Sequence, residues 1–381
     1  MILKMNNAYW KYRRLLALTK KEFFQIVRDP SSILIAFVLP LILIFIYGFG
    51  ISLDANHLKI ALVLEDTSPL ATSFGASFTE SRFFDVTIVR HVEEVKELLV
   101  DGKVRGIIVV PAYFSKQLND ITGPSPIQVI ADGSEPNTAN FVQNYAEATY
   151  QRWLDLNRIE RKLLQKPLVR VDMRFWFNEE LKSRNFLVPG SLAIIMTLIG
   201  TLLTALVIAR EWERGTMEAL FTTPISLFEL ILGKLIPYYI LGMLSLIFCL
   251  IIDYLIFDVP VRGSFWLLFL TSGSFLFAAL SLGLMISTVA KNQFVAAQIA
   301  LMSAFLPAFI LSGFIFEITS MPKIIQAITY IVPARYFVSS LQTLFLAGNI
   351  YRIIIPSILA MLSFGCIVFL IMRIKMVKRL D

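Results

Sequence analysis

The sequence predicts a polytopic α-helical membrane protein with six transmembrane helices and an extracytoplasmic α/β domain between the first and the second. Three observations carry this reading. Of the 381 residues 56% are hydrophobic and only 17% charged, with a mean hydropathy of +0.70, too apolar for a fold solvated on all sides by water. The apolar residues fall into six blocks, each long enough to cross about 30 Å of hydrocarbon, for which a helix needs roughly 20 residues. The stretch 53–185 between the first two blocks instead alternates short Ile- and Val-rich runs with polar ones.

Residues 1–30 precede the first block. Tyr9, Tyr12, Leu16, Thr19, Phe23 and Ile26 recur at helical spacing, with Lys11, Arg14, Lys21, Gln25 and Arg28 on the opposite side. That is the pattern of a cytoplasmic amphipathic helix lying in the membrane interface, which Asp29-Pro30 would end. The apolar blocks follow at 33–51, 186–209, 235–257, 265–289, 294–316 and 353–372. The domain plan is therefore a first transmembrane helix within 31–52, the external domain over 53–185, helices two to six within 186–372, and a tail at 373–381. The first block starts after a polar and basic stretch longer than the leading region of a secretory signal, so it reads as a retained anchor.

Orientation follows from the basic residues near the membrane. Lys4, Lys11, Arg13, Arg14, Lys20, Lys21 and Arg28 lie before the first block, and Arg373, Lys375, Lys378 and Arg379 after the last. Both termini are expected on the cytoplasmic side of the membrane. Six crossings permit this, and they put Arg210, Arg214, Lys234 and Lys291 inside as well. Only Arg262, Lys323, Arg335 and Arg352 remain in short outer loops.

Within the external stretch, 59–64, 84–89, 105–110 and 127–131 read as strands and 93–100, 111–118 and 138–164 as helices. Turns are expected at Gly123-Pro124 and Gly133. A small α/β domain results.

Several function classes are disfavoured. The net charge of +7 sits largely beside the apolar blocks, where topology explains it without nucleic acid. Cys249 and Cys366, the two cysteines, lie in apolar blocks, and His57 and His91 are the two histidines, so no metal site and no catalytic cluster is expected. Gly102-Lys103 and Gly233-Lys234 are the Gly-Lys pairs, but Glu97 or Phe228 stands where a phosphate-binding loop needs its first glycine, and Val104 or Leu235 where it needs Ser or Thr. No cofactor is expected.

The segment Ala209 to Leu220 (AREWERGTMEAL) mixes both charge signs with Met217, Leu220 and Phe221 at helical spacing, and Thr222-Thr223-Pro224 stops it. It reads either as a charged surface offered to a soluble partner or as a solvated connector. The run Arg210 to Leu220, followed by Thr223-Pro224-Ile225 and Gly233-Lys234, resembles the signature of ABC-2 type exporter permeases. Leu311-Ser312-Gly313-Phe314 with Met321-Pro322, Ile331-Val332-Pro333-Ala334-Arg335-Tyr336 and Phe345-Leu346-Ala347-Gly348 are similar to that family too. So are Lys20-Lys21-Glu22-Phe23 and Arg28-Asp29-Pro30, whereas the external stretch resembles the family's insert only in position and length.

The resemblance implies a non-enzymatic transport subunit that pairs with a second permease copy or a paralogue. A separate cytosolic ABC ATPase would drive it. A coupling helix near 210–223 would engage that ATPase, a role carried here to Glu211, Glu213, Arg214, Gly215, Thr216 and Glu218. An outer re-entrant segment near 313–335 is implied as well. The substrate would be hydrophobic or amphiphilic, a drug-like compound or lipid, moved out of the cytoplasm or inner leaflet. In a Gram-negative setting the resemblance also allows a periplasmic adaptor and an outer-membrane channel as partners. An alternative is a membrane-anchored sensor or assembly scaffold whose external domain binds a ligand.

Polar residues inside the blocks are the candidates for a substrate path. Thr197, Thr201 and Thr204 share one helical face with Gly200 nearby, which fits close helix packing as well as a path. Asp253 is an acid well inside an apolar block, unless it reaches interfacial water. Gln298 and Asn292 open the fifth block.

Overall fold

The computed structural model describes residues 2–50, 57–91, 93–117, 127–132, 136–160 and 184–376. The turns expected at Gly123-Pro124 and Gly133, the helix end at Leu164, and Lys378 and Arg379 lie outside these residues. The chain forms two compact units, Leu53–Arg174 and Met1–Ser52 with Phe175–Asp381.

The smaller unit holds four strands, β1 Leu58–Leu64, β2 Phe84–Val89, β3 Gly106–Val110 and β4 Gln128–Ala131. Their order is β2-β1-β3-β4. β1 is parallel to both β2 and β3, with Leu58 opposite Phe84 and Ile60 opposite Gly106, while β4 runs antiparallel to β3. Because β3 and β1 from Ile60 onward are covered on both faces, these stretches read as unbroken apolar runs, with Lys59 exposed at the start of β1. Ile60, Leu62, Ile108 and Val110 face Phe74, Phe78 and Trp153 of helices Pro69–Thr79 and Pro136–Glu160. Ala61, Val63, Ile107 and Val109 face Val95 of helix Glu93–Val100. A Cβ at Gly106 would lie 2.6 Å from Val142 Cγ1, so glycine lets the long helix press onto β3.

Each strand lies within a residue of where the sequence places it, and the small α/β unit is present. The helix expected at 111–118 shrinks to one turn, Phe114–Gln117. Helix Pro69–Thr79 was not expected, although its start is written in the sequence: Ser68 accepts from the Ala71 amide at 3.2 Å and Pro69 takes the first helical position.

Among its described residues the larger unit contains six helices long and apolar enough to span a membrane, Pro30–Phe49, Arg184–Glu213, Leu227–Phe257, Phe265–Ala290, Gln293–Leu311 and Tyr351–Lys375, or seven if one bent pair of shorter helices counts as a span. The second and fourth are the most enclosed. They meet through small residues: a Cβ on Gly200 would fall 2.8 Å from Ala279 Cβ, and one on Gly283 would overlap Thr204 Oγ1. The second and third helices run past the apolar blocks to Glu213 and back to Leu227, because charges there are paired inside the protein. The fifth ends at Leu311 rather than near 316, since Gly313 adopts φ +87° and turns the chain away.

Beyond it, helices Lys323–Thr329 and Pro333–Leu346 meet at 83° across Tyr330-Ile331-Val332. The second of them continues past the expected limit at 335 and buries Phe337, Leu341 and Phe345. In the first span, Pro40 has no amide hydrogen for the carbonyl of Ala36. Ser245 of the third span donates to that oxygen at 2.5 Å, which removes an orphaned acceptor from an apolar setting.

Candidate coupling site

Helix Ile2–Val27 lies against the third span. Gly233 makes this approach possible, since a Cβ there would stand 2.8 Å from Leu18 Cβ. Leu18, Glu22 and Ile26 are buried, whereas Tyr12, Leu16, Phe23 and Val27 stay exposed along an adjacent apolar face. The face read as purely polar is therefore divided, for Arg14 and Lys21 turn toward the bundle.

Glu22, Lys234 and Glu211 are 1%, 2% and 3% exposed. Lys234 Nζ contacts Glu22 Oε1 at 2.8 Å and Glu211 Oε1 at 3.1 Å, and Lys21 Nζ contacts the same two oxygens at 3.3 and 2.7 Å. Two carboxylates thus face two ammonium groups, and this compensation is what permits charge at such depth. Burial pulls the Lys21 ammonium down, but the charges of Glu22 and Glu211 and the bonds to them overcome it and raise its pKa. Thr216 donates its hydroxyl to Glu211 as well.

A second pair sits beside the first. Arg210 donates to Asp29 Oδ2 at 2.7 Å, and Asp29 also accepts from the Ser32 hydroxyl at 2.7 Å at the start of the first span. Burial pushes the Asp29 carboxyl up, yet the Ser32 and Arg210 bonds outweigh that and hold it below its usual value. Arg14 reaches Glu229 at 3.5 Å and donates to the Pro224 carbonyl. Glu213 accepts from the Gln293 amide at 2.9 Å and so caps the fifth span. The starts of the first, third and fifth spans and the end of the second are tied together by charge at one end of the bundle.

Between the second and third spans the chain makes an elbow. Gly215 takes φ +68°, a conformation that costs other residues, and helix Thr216–Phe221 follows. Met217 is its buried anchor. Ser226 and Glu229 form a reciprocal cap that starts the third span. Of the residues expected to meet a partner, Glu213, Arg214, Gly215, Thr216 and Glu218 are exposed, and Glu211 is buried in the charge cluster. The cluster's members Lys21, Glu22, Asp29 and Lys234 received no role from sequence. No contiguous signal marks them, since Lys234 and Glu22 stand 212 residues apart along the chain.

The residues expected along a substrate path separate. Thr197 and Thr201 line a cavity of about 290 Å³ together with Phe275, Pro307, Val332 and Phe364. Thr204 is buried in the packing of the second and fourth spans and donates to the Gly200 and Leu280 carbonyls. Gln298 is exposed and Asn292 caps the fifth span. Asp253 is 2% exposed and does not reach solvent; neither carboxylate oxygen has a hydrogen-bond partner among the described residues. No group of three or more His, Cys, Asp or Glu side chains is placed to hold a metal among those residues.

Residues 30–374 match the model of a family described as ABC-2 family transporter protein. The chain is 49% identical over 377 residues to the "Probable multidrug ABC transporter permease YbhS" of Escherichia coli (strain K12), covering 99% of this chain and 100% of that one. It is 28% identical over 340 residues to the "Probable multidrug ABC transporter permease YbhR" of the same strain, covering 88% and 90%. To the "Linearmycin resistance permease protein LnrN" of Bacillus subtilis (strain 168) it is 22% identical over 382 residues, covering 94% and 97%. Matched over its spans, its elbow and its outer segment alike, the chain belongs to the ABC-2 family of transporter proteins.

Proposed function

We propose that this chain is the membrane-spanning permease of an exporter that moves hydrophobic or amphiphilic compounds, and that a separate cytosolic ATPase drives it through the elbow. The observation that carries this is the exposed helix Thr216–Phe221, rooted in a buried charge cluster that also holds the first and third spans, with exposed Glu213 beside it holding the start of the fifth. A displacement of Arg214 and Glu218 by a partner would be passed to those spans as one body, because unmaking the cluster exposes unpaired charge. Glu213, Arg214, Gly215, Thr216 and Glu218 supply the contact surface, and Glu211 braces it from within. Both termini and the elbow lie in the cytoplasm in this reading, and the Leu53–Arg174 unit lies outside. The largely apolar cavity at Thr197 and Thr201 is the candidate place for substrate. A second permease copy or paralogue completes the transporter, and an adaptor and outer-membrane channel are candidate partners of the external unit.

The test is affinity purification from native membranes with wild type and with the exchange Arg214→Glu, Glu218→Lys. Both side chains are exposed, so the fold is retained. An ATPase subunit is expected to copurify with wild type and to be lost from the variant. Absence of any ATPase from wild type in several mild detergents overturns the reading.

A further inference from the structure

The smaller unit carries a cleft of about 680 Å³ between the end of helix Pro69–Thr79 and the side of helix Pro136–Glu160. Its size is that of a site for a small organic molecule. Phe83, Tyr145, Trp153 and Leu156 make its apolar wall, and Leu156 leaves 54% of its surface exposed there.

Arg82 and Arg152 also line the cleft, and both are exposed. Neither has a carboxylate within ion-pair distance among the described residues, although Glu80 is part of the same lining. The Arg82 guanidinium sits 4.9 Å from the centre of the Phe83 ring. Stacking of this kind holds the planar group against the wall and leaves its edge hydrogens free for a carboxylate or phosphate. The Ser77 and Thr149 hydroxyls donate to the carbonyls of Phe74 and Tyr145, so their oxygens remain as acceptors.

We infer that this cleft binds an amphiphilic anion, its carboxylate or phosphate held by Arg82 and Arg152 and its apolar body laid against Phe83, Trp153 and Leu156. Two guanidinium groups against one glutamate give the cleft its preference for negative charge. The apolar wall supplies the reason for an attached chain or ring system. The inference does not depend on the exporter reading, since every residue in it belongs to the smaller unit.

The experiment uses the full chain in phosphatidylcholine nanodiscs, titrated with 11-(dansylamino)undecanoate, with empty nanodiscs subtracted. Saturable dansyl fluorescence is expected, with energy transfer from tryptophan that falls in Trp153→Phe, the change confined to the donor nearest the cleft. Dodecyl phosphate should displace the probe and uncharged dodecanol should not. Arg82→Gln with Arg152→Gln should weaken binding by about tenfold or more, the loss expected when charge-assisted bonds are removed. Thr149→Trp should block the cleft sterically. Equal affinity in both variants, equal displacement by dodecanol, or no saturable signal above empty nanodiscs overturns the assignment.

Discussion

At the scale of single residues, the decisive feature is Lys234, an ammonium 2% exposed that serves two carboxylates at once. Removing it leaves Glu22 and Glu211 facing one another with Lys21 as their remaining counter-charge. Lys234→Met is expected to destabilise the bundle by about 3–5 kcal/mol, the cost of an uncompensated buried charge, read as a lowered thermal midpoint in detergent. An unchanged midpoint would show that the cluster contributes nothing to cohesion. Asp66 gives a residue-scale prediction in the smaller unit, where it accepts from the Ser68 amide at 2.8 Å and from the Ser115 hydroxyl at 2.7 Å. Burial pushes its carboxyl up, but the Ser115 and Ser68 bonds more than offset this and its pKa is lowered. A depressed folded-state pKa gives stability that is full above the unfolded value and lost as pH falls through the folded one. The stability gap between wild type and Asp66→Ala should therefore be constant at neutral pH and close only below about pH 4. A gap that persists in strong acid would assign the effect to packing instead.

Single elements of the membrane unit are shaped by where their backbone groups find partners. The first span tolerates Pro40 because Ser245 reaches across from the third span to the Ala36 carbonyl. Ser245→Ala should cost about 1–3 kcal/mol for the stranded acceptor. In a Pro40→Ala background the restored amide can bond that carbonyl, so the same change should cost clearly less. Equal costs in both backgrounds, measured by a double-mutant thermal cycle, would mean the two groups are uncoupled. The elbow obeys a similar logic: Gly215 reverses the chain at φ +68°, Met217 anchors the short helix, and Ser226 with Glu229 restarts the next span. The strands and the apolar spans were legible because each is long and strongly patterned. Helix Pro69–Thr79 was missed because its apolar residues are diluted by Ser, Thr and Gly, although Ser68-Pro69 marked its start. The fifth apolar block overruns its helix, which ends at Leu311, because Phe314 to Phe316 are apolar. Gly313 ends it through backbone geometry that hydropathy does not weigh.

At the scale of the whole molecule, the chain is two units with separate cores. The smaller has apolar layers on both faces of its sheet and needs nothing from the bundle to bury them. Residues 53–174 expressed alone should unfold cooperatively by circular dichroism, with Trp153 reporting loss of its buried environment. A non-cooperative melt would show that the unit depends on the rest of the chain. The larger unit is organised around its two most enclosed spans, and the charge cluster at one end makes the surrounding helix starts a single mechanical group.

The sequence by itself determined the class, the six candidate spans, the sheet-bearing insert and the family, because hydropathy and local motifs are properties of contiguous residues. Tertiary structure alone decided which charges stay exposed and which face one another. Glu211 and Glu213 are two residues apart and read alike, yet one is buried against Lys234 and the other caps Gln293. Lys21, Lys234 and Glu211 come from three separate helices, so no window of sequence contains the cluster they form. Thr197 and Thr204 share a helical face, but the fourth span covers one and a cavity borders the other. The physical reason is common to these cases: a side chain's electrostatic role depends on the charges and the solvent that folding brings to it, and these arrive from distant parts of the chain.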